Sequence, residues 1–207
     1  MWDEPDTARE LESDRCWFVY LLAATDCSAF KVGFSCNPLQ RLYSFNHRYF
    51  ETFDLAASQV LRVVNCDLAR EYEANIESTF SDYRTECPAW VLPQAGGDTE
   101  WFSAVHFDDA QAQLARQSPN QAALEHLEAL VRSDLVDVRS YFESWALAQG
   151  NKIVSARAPR ERALAAADAR TLRDWLDAYR HLGIPIFVDD PEALQVLDAL
   201  ASRATIR

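Results

Sequence analysis

The sequence predicts an α+β domain followed by an all-helical region, on three observations. Residues 17–22 and 30–34 are two short runs rich in aromatic and branched side chains, close enough to pair as a hairpin. From Asp67 apolar residues recur at spacings of three and four, the helical period. From Asp108 onward the chain reads as nearly all helix. Strands first and helices afterwards describes a sheet with helices gathered beside it. The expected architecture is a small three-stranded antiparallel sheet flanked by helices over residues 16–117, a helical region over 118–207, and an acidic arm over 1–15.

The first two strands are separated by the polar turn Thr25-Asp26-Cys27-Ser28. Asn37 then offers an N-cap and Pro38 fits the first helical position, which together mark a helix start. Residues 57–64 form a third strand candidate. Leu68, Tyr72, Ile76, Phe80 and Tyr83 lie on one side of a helix over 67–84. Pro88, Pro93, Gly96 and Gly97 mark a long turn, and Glu100-Trp101-Phe102-Ser103 reads as a short strand or sheet edge. Further on, Asn120, Ser133, Thr171 and Asp190 (the last before Pro191) suggest caps. Gly150 and Gly183 suggest helix ends, and residues 184–188 an extended stretch.

With 207 residues, 49% of them apolar, the chain can build a substantial core. No apolar run approaches the roughly 20 residues that span a bilayer, and the acidic start lacks the pattern of a signal peptide. A soluble cytoplasmic protein with no membrane partner is expected. Five cysteines without a C-x-x-C pair, and four scattered histidines, argue for reduced thiols and against structural zinc.

A net charge of −12 bears on function, because nucleic-acid binders neutralise phosphates with Lys and Arg. The charge is uneven. Residues 1–105 carry eight basic and seventeen acidic side chains, a net of −9. Within 152–173, Lys152, Arg157, Arg160, Arg162, Arg170 and Arg173 face only Glu161 and Asp168, a local net of +4. That stretch is either a backbone-contacting stripe or a solvated helical face.

Three residues in the first half carry chemical interest. At about 100° per residue, Glu73 lies beside Phe80 at the rim of the apolar helix face. A carboxylate there needs a partner, either an arginine or a divalent cation. Arg41 falls near the packed side of the Asn37-capped helix and suits bidentate contact with phosphate. Gly33 interrupts a strand, which points either to a bulge or to something pressed closely against the backbone.

Taken together, Val19-Tyr20, Lys31-Val32-Gly33, Arg41 and Glu73 resemble the GIY-YIG endonuclease superfamily. The phage-type branch with a Lys-Ile-Gly second motif is the nearest likeness. Glu73, Ile76 and Phe80, then Tyr83-Arg84, then Glu100-Trp101-Phe102 extend the likeness over about residues 16–115. Phe18 replaces the first motif's glycine, Lys31 the second motif's tyrosine, and Glu77 a histidine. The resemblance implies a divalent-metal-dependent endonuclease acting on DNA, from a phage, mobile element or defence system. Glu73 would ligate a single Mg²⁺ or Mn²⁺, Tyr20 would help deprotonate or position water, and Arg41 would stabilise charge on the phosphate. Lys31 would contact the phosphate. Lys31, Arg41, Lys152, Arg157, Arg160, Arg162 and Arg173 are the expected nucleic-acid contacts. The alternative is an inactive module on the same scaffold that binds nucleic acid, or a protein partner through its acidic face.

Overall fold

The computed structural model describes residues 16–118 and 124–203; the acidic arm expected over 1–15 and the cap expected at Asn120 lie outside them. The described chain divides into two compact units, one up to Leu130 and one from Val131.

The first unit is built on a five-stranded antiparallel sheet rather than the three-stranded one expected. Its strands are β1 (Trp17–Ala24), β2 (Ala29–Ser35), β3 (Phe53–Val63), β4 (Trp101–Ser103) and β5 (Glu125–His126), in the order β4-β2-β1-β3-β5. β4 is the suspected sheet edge, paired with β2 through Phe30↔Phe102 and Lys31↔Trp101. Nothing in the sequence announced β5. It is two residues long and polar, and it is held to β3 by the pairs Gln59↔His126 and Val60↔Glu125. The His126 Nδ1 also lies 2.7 Å from the Ala56 carbonyl, to which it donates when protonated, and 3.1 Å from Gln59 Nε2, from which it accepts when it is not.

Four helices flank the sheet: α1 (Pro38–Phe45), the one-turn α2 (Tyr49–Thr52), α3 (Cys66–Thr79) and α4 (Phe107–Gln117). The Asn37 cap forms as expected, its side chain accepting from Gln40 N–H at 2.9 Å with Pro38 in the first turn. Asn65 caps α3 in the same way, accepting from Leu68 N–H at 2.8 Å.

Alternation along β1 and β2 sends side chains to two different environments. Val19, Leu21, Phe30 and Val32 face Ala69, Tyr72 and Ile76 of α3 and Leu114 of α4, forming the main core. Tyr20, Lys31 and Gly33 point the other way, toward α1 and the aromatic group Phe45, Phe53, Trp90 and Trp101. The candidate site is built on this second face.

The second unit holds most of α5 (Leu127–Asp137), whose first turn precedes the division, together with α6 (Arg139–Ser155), α7 (Pro159–His181) and α8 (Pro191–Arg203). Asp190 caps α8 as expected, accepting from Ala193 N–H at 3.0 Å. Ser133 and Thr171 begin no helix and lie inside α5 and α7. Gly150 ends none either. It sits within α6, where a Cβ would come 2.7 Å from Leu197 Cδ2, so its small size serves helix-to-helix approach. Residues 184–188 pair with no strand. Among the described residues no helix is long and apolar enough to cross a membrane.

Candidate active site

Tyr20 lies directly across from Gly33 in the hairpin register. A Cβ built on Gly33 would clash with Oη and Cζ at the hydroxyl end of the Tyr20 ring, so the glycine leaves room for the phenol to lie against β2. No bulge interrupts β1 and β2 here. Of the two readings of Gly33, close approach is the one observed, and the approaching group is Tyr20.

Arg41 comes off the third residue after the Pro38 start of α1 and reaches the same place. Its Nε donates to Tyr20 Oη at 3.4 Å, and its Nη1 donates to the Ala95 carbonyl at 2.6 Å. The guanidinium lies 4.2 Å from the Phe45 ring centroid. Nη2 makes no hydrogen bond to the described residues, which leaves a donor available.

Lys31 is sealed in, with its side chain 2% exposed. Its ammonium donates to Glu100 Oε2 at 2.8 Å and to the Val32 carbonyl at 3.2 Å, between the Phe45 and Trp101 rings. The expected direct contact of Lys31 with phosphate does not match this placement, because the contact would require breaking a buried ion pair. Burial pulls the Lys31 ammonium below its ordinary pKa, with Glu100 opposing the shift. On Glu100, burial pushes upward, but the hydrogen bonds from Lys31 and Thr99 outweigh it and hold the carboxyl below the usual range.

Glu73 sits half-buried on α3 beside the buried Tyr72 and Ile76. Its neighbours on either side of the site are occupied: Glu77 pairs with Arg84 at 3.2 Å and Glu100 with Lys31. Glu73 itself accepts no hydrogen bond and joins no ion pair among the described residues. The salt bridge to Arg41 that the helix position allowed is not formed. Burial, with repulsion from Glu77 and Glu100, pushes its pKa up to about 7, while Lys31 and Arg70 pull the other way. Burial likewise pushes the Tyr20 phenol up to about 12, against the lowering effect of Arg41. Glu73 is close enough to add to that rise, so Tyr20, Lys31, Arg41 and Glu73 share one electrostatic neighbourhood.

Residues 17–118 match the family model of the T5orf172 domain. This corrects the family reading drawn from the motifs, since no GIY-YIG model matches the chain. The T5orf172 domain occurs in phage-type nucleases, which is consistent with a nuclease-related role. No curated protein and no solved structure matches the chain.

The remaining expected contacts lie in the second unit. Lys152, Arg157, Arg160 and Arg162 are exposed around the end of α6 and the start of α7. Arg157 N–H and Ala158 N–H both donate to Glu161, at 2.8 and 2.9 Å, which closes the start of α7. Arg173 is half-buried, donates to Ser202 Oγ on α8 and has a buried Nε with no partner, a placement that suits packing.

Sequence reasoning missed the ion pair of Glu100 with Lys31 and the packing of the segment before it. Gly97 adopts φ +72, open to glycine at little cost, and lies so close to Arg41 and Lys31 that a Cβ would meet Nη2 at 2.9 Å and Nζ at 3.1 Å. The signal was present in Gly96-Gly97 and in Glu100-Trp101, but it reads only as a turn and a strand until the partners are known.

Proposed function

We propose that residues 17–118 form a nuclease module that cleaves DNA phosphodiester bonds with the help of one divalent cation. A single observation carries this reading. Glu73 is a half-buried carboxyl with no hydrogen bond or ion pair among the described residues, within electrostatic reach of Tyr20 and of the Lys31 ammonium. Desolvating a carboxylate without a partner is unfavourable, and a cation shared with a substrate phosphate would supply that partner.

The donor set suits Mg²⁺ or Mn²⁺. Mg²⁺ keeps several waters and is held by one or two carboxylates together with substrate phosphates, so Glu73 alone suffices. Among the described residues no group of three or more His, Cys, Asp or Glu side chains could hold a metal, which argues against a protein-only cage. When bound, the cation would polarise a non-bridging phosphate oxygen and offset charge on the leaving group.

The other roles follow from protonation and geometry. Tyr20 is a neutral phenol at neutral pH, and its oxygen already accepts from Arg41 Nε. Its own proton is therefore free to donate, so it positions a water or a phosphate oxygen rather than removing a proton. Arg41 Nη2 is the donor that meets charge developing on the phosphate, where fixed cations act most strongly. Lys31 contributes from inside the wall as a buried positive charge.

The test is nicking of supercoiled plasmid with Mg²⁺ or Mn²⁺. Wild type converts it to the relaxed form, and Glu73→Gln does so at least ~100-fold more slowly. Equal amounts of intact supercoil with both proteins would refute the reading. Retention of DNA at low salt without any nicking would favour the binding module instead.

A further inference from the structure

We infer that Glu100 is a positioning residue of this site, acting through Lys31. The inference rests on the nuclease reading and adds to it the motif Glu100-Trp101, which that reading leaves without a role. Glu100 contacts β2 twice. Its carbonyl accepts from Val32 N–H at 3.1 Å, and its carboxylate holds Lys31 Nζ at 2.8 Å while Oε1 accepts from Thr99 Oγ1 at 2.6 Å. Trp101 supplies an aromatic wall 5.8 Å from the same ammonium, and its Nε1 donates to the Gly97 carbonyl at 3.2 Å. Gly97 in turn packs on both Lys31 and Arg41, and the Ala95 carbonyl holds Arg41 Nη1. Residues 95–101 thus form a clasp around the two cations of the pocket, and only one of its contacts is a carboxylate.

A buried ammonium keeps its charge and place only when a partner compensates for its desolvation. Glu100 is that partner. With it, Lys31 is a fixed positive charge behind Tyr20 and beside Glu73. Without it, Lys31 either loses its proton or turns toward water, and the pocket loses one of its two cations. Lys31 touches no substrate in this arrangement, so the pair acts on turnover rather than on binding.

Four proteins decide the matter: wild type, Glu100→Gln, Lys31→Met and the double variant. The measurements are kcat and KM for nicking, and thermal melting. Each single variant lowers kcat about 30-fold with KM nearly unchanged, and each melts earlier than wild type. The double variant, with both charges gone, melts close to wild type but nicks no faster and no slower than Lys31→Met. That combination separates positioning from support of the fold, because a purely structural pair would regain nicking along with melting temperature. A double variant as active as wild type overturns the inference. So does a fully active Glu100→Gln, or a pair of losses that multiply. Wild type that fails to nick at all refutes the nuclease reading first, and this inference falls with it.

Discussion

Residues 152–173 gather six basic side chains and a local charge of +4, whereas the corner around Tyr20 holds two, Lys31 and Arg41, within a half of the chain whose net charge is −9. By charge alone the first region is the better place for a phosphate. The structure separates the two by order rather than by number. Lys31 is fixed by Glu100, Val32 and two rings, and Arg41 by Tyr20, Ala95 and Phe45. In the helical unit Arg160, Arg162 and Arg170 project into solvent, and Arg173 is spent on Ser202. Two cations held in place carry charge of fixed direction, while the exposed ones offer only diffuse attraction that salt screens. Net charge describes how a chain meets its partners, and the preorganised few describe what it can do to them.

Arg41→Ala tests the ordered region most severely. It removes a donor and a fixed charge at once, and nicking falls about 100-fold. Arg41→Lys recovers little, because an ammonium cannot reach Tyr20 Oη and the Ala95 carbonyl together. An Arg41→Lys variant with full activity would show that diffuse charge is enough.

Gly33→Ala tests the scaffold of the same corner. The new methyl collides with the Tyr20 ring, so stability drops by about 1–3 kcal/mol. Nicking falls with it as the phenol is pushed off Arg41. Urea melts and initial rates measure the two effects, and unchanged values would mean that Tyr20 does not lie where it is described.

Glu73 sharpens the comparison through pH. The folded protein holds the Glu73 proton more tightly than the unfolded chain, with a pKa of about 7 against 4.5. The group therefore favours the fold fully below pH 4.5, and that contribution is lost as pH rises through about 7. Glu73 is partly exposed, so solvent screening trims the effect to about 1 kcal/mol. Between pH 5 and 8, wild type should lose that much stability relative to Glu73→Gln in urea melts. Excess Mg²⁺ at pH 8 should return part of it to wild type only. Parallel pH curves for the two proteins would contradict the assignment.

The smallest effect is expected where charge is most plentiful. Arg160→Glu with Arg162→Glu changes plasmid nicking less than about threefold, and it reduces the salt slope of DNA retention by no more than about 2. A collapse of nicking in this variant would move the centre of the molecule's function to the helical unit.

Local signals in the sequence proved sound where one residue type satisfies one backbone need. Asn37-Pro38 and Asp190-Pro191 cap their helices because the acceptor and the ring act within one turn. The rim position of Glu73 followed from helical period alone. What stayed hidden depends on partners distant in the chain. Gly33 cannot be interpreted without Tyr20 across the ladder, nor Gly150 without Leu197 on another helix. Glu100 gives no hint that Lys31, 69 residues earlier, is its counter-ion. The strand β5 escaped because two polar residues carry no alternation. Thr171 looked like a cap because it has the right chemistry, but a 23-residue helix runs through it.

The overlap of Tyr20 with the empty side of Gly33 has an implication for substitution. The two positions are coupled, since a side chain at 33 leaves no room for a phenol at 20 in its present place. Enlarging 33 forces 20 either to shrink or to swing aside, and in both cases the partner of the guanidinium is surrendered in the same step.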